Sequence, residues 1–277
     1  MLKDTTDLLK LAEEGCFAIG AFNVYNMEGA MSVIEAAEEE GLPAMIQIHP
    51  GSMAIGGKIL AALCLAAAEE SATPVSVHLD HSEYSGDIER GLSYGIRSIM
   101  VDGSKLEYEE NTYFTKKWAR TIHNLGGFVE GELGRLSGTE DNLTTSDYES
   151  KLTDPDEAAD FVCRSEVDAL AVCIGNVHGE YSRLPSLDFE RLREIQRSVR
   201  IPLVLHGASG LTDKLVAEAV DLGVRKLNVN TEIRQAYLRA LRDKISMGNI
   251  ELTDVMNATL LSMRKVVKSK IRQFAGR

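Results

Sequence analysis

Residues 75–81 read VSVHLDH. The apolar run ends on Asp80-His81, a carboxylate beside an imidazole. The pattern returns twice. Residues 169–179 read ALAVCIGNVHG and close on His178-Gly179, and residues 202–210 read PLVLHGASG and pass through His206-Gly207. Five similar runs complete the set: FAIGAFNV (17–24), PAMIQIHP (43–50), SIMVDGS (98–104), FVEGELG (128–134) and KLNVNT (226–231). Continuous apolar runs of this length suit strands covered on both faces, as in a parallel sheet.

Helical patterns fill the gaps. Asn26 is placed to cap MEGAMSVIEAAEEE, with Gly41 just past its end. Asp154-Pro155 with Glu157 reads as a capping box with proline at the first helical position. Thr212 is placed to cap DKLVAEAVDL, before Gly223. Alternating strands and helices imply right-handed βαβ units. Eight such units predict an α/β fold, a (β/α)8 TIM barrel in one domain over residues 1–277. An open doubly wound sheet is the competing architecture, weakened because no GxGxxG follows the first strand. A basic amphipathic helix at about 252–273 is expected to close the bottom of the barrel or pack on a neighbour.

The chain has a net charge of −12, which argues against nucleic acid and against anionic membrane surfaces as partners. No signal-peptide pattern opens the chain, and no apolar stretch approaches the ~18 residues of a membrane span. The four cysteines form no CxxC pair, lie in apolar segments and read as buried free thiols of a reducing compartment. These features predict a cytoplasmic protein.

Polar residues collect where the apolar runs end: Asn23, Gln47 and His49, Asp80 and His81, Asp102, Glu132, Asn176 and His178, His206, and Asn228 to Thr231. In a barrel these ends share one face, the face that carries the active site. His81, His178 and His206 can converge there as ligands of a divalent metal with an open position. Asp80 either orients a ligand or moves a proton beside a metal-bound substrate, and the second role is favoured. Asp102 and Glu132 are an alternative metal position, supports for a ligand, or catalytic groups. His78 is assigned to packing or support, on the face of its strand opposite Asp80. Gly207, Ser209 and Thr231 sit where barrels bind phosphate, after strands seven and eight. The polar stretch GRLSGTEDNLTTSDYESK (134–151) reads as a surface loop or a lid. A Schiff-base lysine is the rival chemistry. Lys226 begins its strand at the wrong end for it, and Lys105 reads as a helix-start residue.

In order and register, FNVYNMEG, VHLDH, VEGELG, GNVHG, LHGASG and KLNVNTE resemble the class II, metal-dependent ketose-bisphosphate aldolases over nearly the whole chain. The resemblance implies a lyase that cleaves a fructose- or tagatose-type ketose 1,6-bisphosphate to dihydroxyacetone phosphate and an aldehyde. It implies one zinc ion on His81, His178 and His206, and Asp80 as proton donor and acceptor. A monovalent cation is a further candidate. The dihydroxyacetone phosphate site would comprise Gly179, Gly207, Ala208, Ser209, Asn228, Val229, Asn230 and Thr231, with Asn23 at its border. A homodimer or homotetramer is implied, with a non-catalytic partner subunit in the tagatose branch. Arg272, or Arg277, is the candidate for the distal phosphate. The sequence departs from the family at IQIHPGS, where a serine is usual near His49, and this suggests an altered substrate preference. A metal-dependent hydrolase barrel and a non-catalytic phosphosugar-binding protein are the competing functions; the hydrolase would want an HxH pair that FNVYN lacks.

Overall fold

The structure, a computed structural model, describes residues 1–140, 143–145, 151–179, 185–248 and 251–277, with backbone alone at 138–140 and 143–145. All eight apolar runs form strands: β1 Ile19–Asn23, β2 Ala44–Ile48, β3 Val75–Ser82, β4 Ser98–Val101, β5 Phe128–Leu133, β6 Ala169–Val172, β7 Leu203–Leu205 and β8 Val224–Val229. Each pairs in parallel with its neighbour in sequence, and β1 pairs with β8 to close the barrel. A continuous apolar run belongs in such a strand because one face meets the barrel interior and the other meets helices.

Helices α2 (Met27–Glu40), α3 (Pro50–Glu70), α4 (Ser85–Ser93), α5 (Tyr108–His123), α6 (Pro155–Ser165), α7 (Phe189–Ser198) and α8 (Asp213–Asp221) follow successive strands. The expected caps form. Asn26 accepts from the Gly29 N–H, Asp154 from the N–H groups of Asp156 and Glu157, and Thr212 from that of Leu215. Each satisfies backbone donors that the first helical turn leaves open.

Two elements depart from expectation. The bottom of the barrel is closed by α1 (Thr5–Gly15), whose Leu8, Leu9 and Ala12 cover Ile19, Ala21, Met45, Met100, Phe128, Ala169, Ala171 and Val204. Burying Leu8 and Leu9 contributes about 1.5–3 kcal/mol each. The basic helix α10 (Leu252–Phe274) instead lies on the outer wall against α2 and α9 (Thr231–Ser246). Its cations meet the acidic edge of α2 through Arg264–Glu35, Lys268–Glu39 and Arg272–Glu40, each at 2.7 Å. Its apolar face, with Met263, Val267, Ile271 and Phe274, packs into the core, and the ion pairs with α2 flank that contact.

Among the described residues one helix, α3, is long and apolar enough to cross a membrane by length and composition, contrary to the sequence expectation. It is broken at Gly57 (φ 53°, ψ −146°), and Leu60, Ala61, Cys64 and Ala68 pack against the barrel wall. In the sequence Lys58 interrupts the apolar run and conceals its length.

Candidate active site

Asp80 and His81 are consecutive, so regular alternation would send them to opposite faces of β3. The backbone breaks the alternation. His81 takes φ 39°, and the register of β3 against β4 shifts between Leu79 and Ser82. An extra residue at a strand edge re-aims side chains in this way. Both residues are buried in the mouth of the barrel. His206 follows β7 directly. Gly207 has φ 66°, and a Cβ there would stand 2.0 Å from the Val177 carbonyl oxygen. Glycine lets the two loops touch, which brings His206 beside His178. His178 lies beyond β6, in a two-residue strand, Val177–His178, paired with Ser137–Gly138 of a small three-stranded sheet. Ring centroids are 4.7 Å apart for His81–His206, 5.0 Å for His81–His178 and 5.9 Å for His178–His206.

The hydrogen bonds select the tautomers. His81 Nδ1 lies 2.7 Å from Asp102 Oδ2, and His206 Nε2 lies 2.9 Å from Glu130 Oε1. A carboxylate oxygen accepts, so these ring nitrogens carry the protons. The remaining nitrogens, His81 Nε2 and His206 Nδ1, face each other at 2.9 Å. Two imidazole lone pairs at that distance repel unless a cation or a proton lies between them. Burial opposes a charge on His81, but Asp80 and Asp102 outweigh it and hold its pKa well above the usual value. One ligand nitrogen from each of the three histidines lies within 4.8 Å of the others. Imidazoles fixed by carboxylates are the donor set of a catalytic divalent site, so these residues fit a metal. His81, Asp102 and Glu132 form a second group within the same limit. Burial and the negative charge of Asp102 push the Glu132 carboxyl well above the usual range.

Asp80 is fully buried and pinned from two sides. Asn23 Nδ2 donates to Oδ2 at 2.9 Å and Asn228 Nδ2 to Oδ1 at 3.3 Å. Gln47 Nε2 in turn donates to Asn23 Oδ1 at 3.2 Å. Burial alone would raise the Asp80 pKa. The positive field of His81, and behind it Lys226, reverses that and holds it below the ordinary carboxylate range. The result is an oriented, ionised acceptor at the edge of the histidine cluster.

The phosphate candidates surround the same mouth. Ala208 N–H donates to the Asn228 carbonyl at 3.0 Å, tying the two loops together. Ser209, Asn228, Val229, Asn230 and Thr231 are buried, and Gly179 follows His178 with φ 93°. Tyr25 Oη donates to Asn230 Oδ1 at 2.7 Å, a contact unforeseen in the sequence. His49 is buried with its ring centroid 6.3 Å from that of His81. Its Nδ1 accepts from the Gly51 N–H at 3.0 Å and caps α3.

Several expectations need correction. Arg272 sits outside the barrel, paired with Glu40 at the end of α2 remote from the histidines, so within this chain it does not face the site. His78 shares the inward face with Asp80, as residues two apart in a strand must. Its Nδ1 meets Ser98 Oγ at 2.7 Å. Lys105 precedes α5 and pairs with Glu83 at 2.7 Å. Lys226 points into the barrel and is fully buried, with Nζ 2.8 Å from Glu130 Oε2. The lid expectation falls largely outside the described residues.

Known proteins place the chain in context. Residues 3–277 match the family profile described as fructose-bisphosphate aldolase class-II. The crystal structure of the YdjI aldolase from Escherichia coli K12 is 34% identical and superposes with a TM-score of 0.88 over 99% of this chain and 97% of that one. A protein from Coccidioides immitis, described provisionally as a fructose-1,6-biphosphate aldolase, is also 34% identical, with a TM-score of 0.92 over 98% of this chain and 95% of its own. A fructose-bisphosphate aldolase from Campylobacter jejuni, 22% identical, shares the fold with a TM-score of 0.80 over 99% and 95% of the two chains.

Proposed function

We propose, because this chain belongs to the class II fructose-bisphosphate aldolase family and is therefore a carbon–carbon lyase, that it reversibly cleaves a fructose- or tagatose-type ketose 1,6-bisphosphate. The products would be dihydroxyacetone phosphate and glyceraldehyde 3-phosphate. The observation that carries this reading is the buried, doubly hydrogen-bonded Asp80 beside three converging imidazoles.

His81, His178 and His206 would hold a zinc ion. Bound there, it would supply the Lewis acidity that draws electrons from the ketose carbonyl when the C3–C4 bond breaks. Asp80 takes the proton of the C4 hydroxyl during cleavage and returns it during condensation. Asn23 and Asn228 keep its lone pairs aimed while burial excludes competing water. Gly179, Gly207 to Ser209 and Asn228 to Thr231 cradle the phosphate of the three-carbon donor. That fixes the donor so that one face is open to the aldehyde. A monovalent cation near that phosphate belongs to the same reading.

His49 borders this space and is assigned to substrate selection, on the strength of its 6.3 Å approach to His81. A cytoplasmic homodimer or homotetramer completes the proposal, with a non-catalytic partner if the substrate is tagatose bisphosphate.

The test is cleavage of fructose and tagatose 1,6-bisphosphates side by side, with and without a chelator. Chelator-sensitive cleavage that zinc restores supports the reading, and the rate ratio assigns the substrate. Cleavage that survives complete metal removal refutes the metal. A His49→Ser enzyme with the same rate ratio refutes the role of His49.

A further inference from the structure

The layer beneath the histidines carries charge that the reaction does not use. Glu130 on β5 and Lys226 on β8 both have 0% exposure, deep in the barrel. Unpaired, either charge would be strongly destabilising in that setting. Glu130 divides its oxygens. Oε1 accepts from His206 Nε2 at 2.9 Å, and Oε2 lies 2.8 Å from Lys226 Nζ, with His78 Nε2 at 3.6 Å. The lysine therefore reaches a metal-ligand candidate through one intermediary.

A neutral imidazole has two tautomers, and a hydrogen bond at one nitrogen decides which nitrogen keeps its lone pair. His206 must present Nδ1 to the centre, because Nδ1 is the atom 2.9 Å from His81 Nε2. A carboxylate at Nε2 secures this only while it is held in place. We propose that Lys226 is a positioning residue, which anchors Glu130 so that Glu130 fixes the His206 tautomer and thereby sets the metal affinity of the site. The inference rests on the reading that the three histidines hold a divalent ion. It also explains a lysine inside a barrel whose chemistry uses no Schiff base.

The experiment measures zinc affinity of metal-stripped protein by competition with a chromophoric chelator, for wild type, Lys226→Met and the double variant Glu130→Gln/Lys226→Met. The absorption spectrum of the cobalt(II)-loaded form and thermal unfolding of the stripped form are read on the same samples. The double variant exchanges the buried pair for neutral groups of similar shape and leaves no lone charge, so it decides the matter if Lys226→Met fails to fold. The expected result is an affinity lower by about 10–100-fold in folded variants, with an altered cobalt spectrum. A folded variant with wild-type affinity and an unchanged spectrum overturns the inference, whatever its melting temperature, since a purely structural pair would move only the latter. Wild-type protein that takes up no zinc overturns the metal reading and the inference with it, and that failure shows in the wild type alone.

Discussion

The two mouths of the barrel use the same eight strands and opposite chemistry. Every second residue of a strand points inward. At the N-terminal mouth those positions are Ile19, Met45, Met100, Phe128, Ala169 and Val204, sealed by Leu8 and Leu9. Two or four residues further along β1, β2, β5 and β7 they are Asn23, Gln47, Glu132 and His206, and β3 and β8 add Asp80 and Asn228. Between them lies a layer of His78, Glu130 and Lys226. One end gains free energy by burying apolar surface. The other holds buried polar groups that a packed core would do better without, and it is tolerated because the first end is tightly sealed.

The sharpest way to break this division is at Asp80. Asp80→Ala should lower kcat by about 10²–10⁴-fold while the melting temperature stays level or rises. Parallel cleavage assays and calorimetry check this. A large fall in melting temperature would mean the active end also supports the fold. Next comes Leu8→Ala at the sealed end, expected to cost about 2–5 kcal/mol in denaturant unfolding. Its kcat and KM per folded molecule should match wild type, and a changed KM would show that the mouths communicate.

The middle layer gives a smaller, pH-dependent effect. Burial first, and then the charge of Lys226, push His78 down to about 3. Unfolded, it titrates at ~6.5. Below that pH the unfolded chain binds a proton that the folded one refuses, so stability present above ~6.5 is lost as pH falls toward the folded value. The slope from this group is roughly 1.4 kcal/mol per pH unit. Denaturant midpoints between pH 7 and 5 should fall less steeply in His78→Gln than in wild type; parallel slopes would remove the claim. The smallest effect concerns the thiols. Burial raises Cys64 to about 12 and Cys173 to about 11, whereas Cys16 and Cys163, against the expectation of burial, are exposed because they lie at the outer ends of their helices. A thiol reagent at pH 8 should label two groups quickly and four after unfolding. Rapid labelling of Cys173, one residue past β6, would show that water enters the active end more freely than its packing suggests.

The strands and the mouth were legible in the sequence for one reason. A parallel barrel strand must be apolar along its length, so polar residues at its end stand out. Asp80, His81 and His206 are found this way, and His178 is found although it lies beyond its barrel strand. The middle layer was hidden. Lys226 and Glu130 lie within apolar runs, and a single charge there reads as a strand start until closure sets β5 and β8 around one interior. The plug was hidden as well: Leu8, Leu9 and Ala12 announce a buried face without naming its target. α10 was left between closing the bottom and packing on a neighbour, because its charge pattern becomes informative only once Glu35, Glu39 and Glu40 are known to be its neighbours.

His81 has the left-handed backbone of φ 39°, a conformation that costs an ordinary L-residue about 1–2 kcal/mol and glycine almost nothing. That twist lets one strand deliver a carboxylate and an imidazole side by side. A lineage selected for durability alone would drift toward glycine there and lose its chemistry in one step. So would an optimising algorithm that scores each position by its local comfort. A histidine held at this kink against that cost therefore marks a barrel in use, and it supplies a criterion for sorting barrels of this shape into working catalysts and retired ones before any is purified.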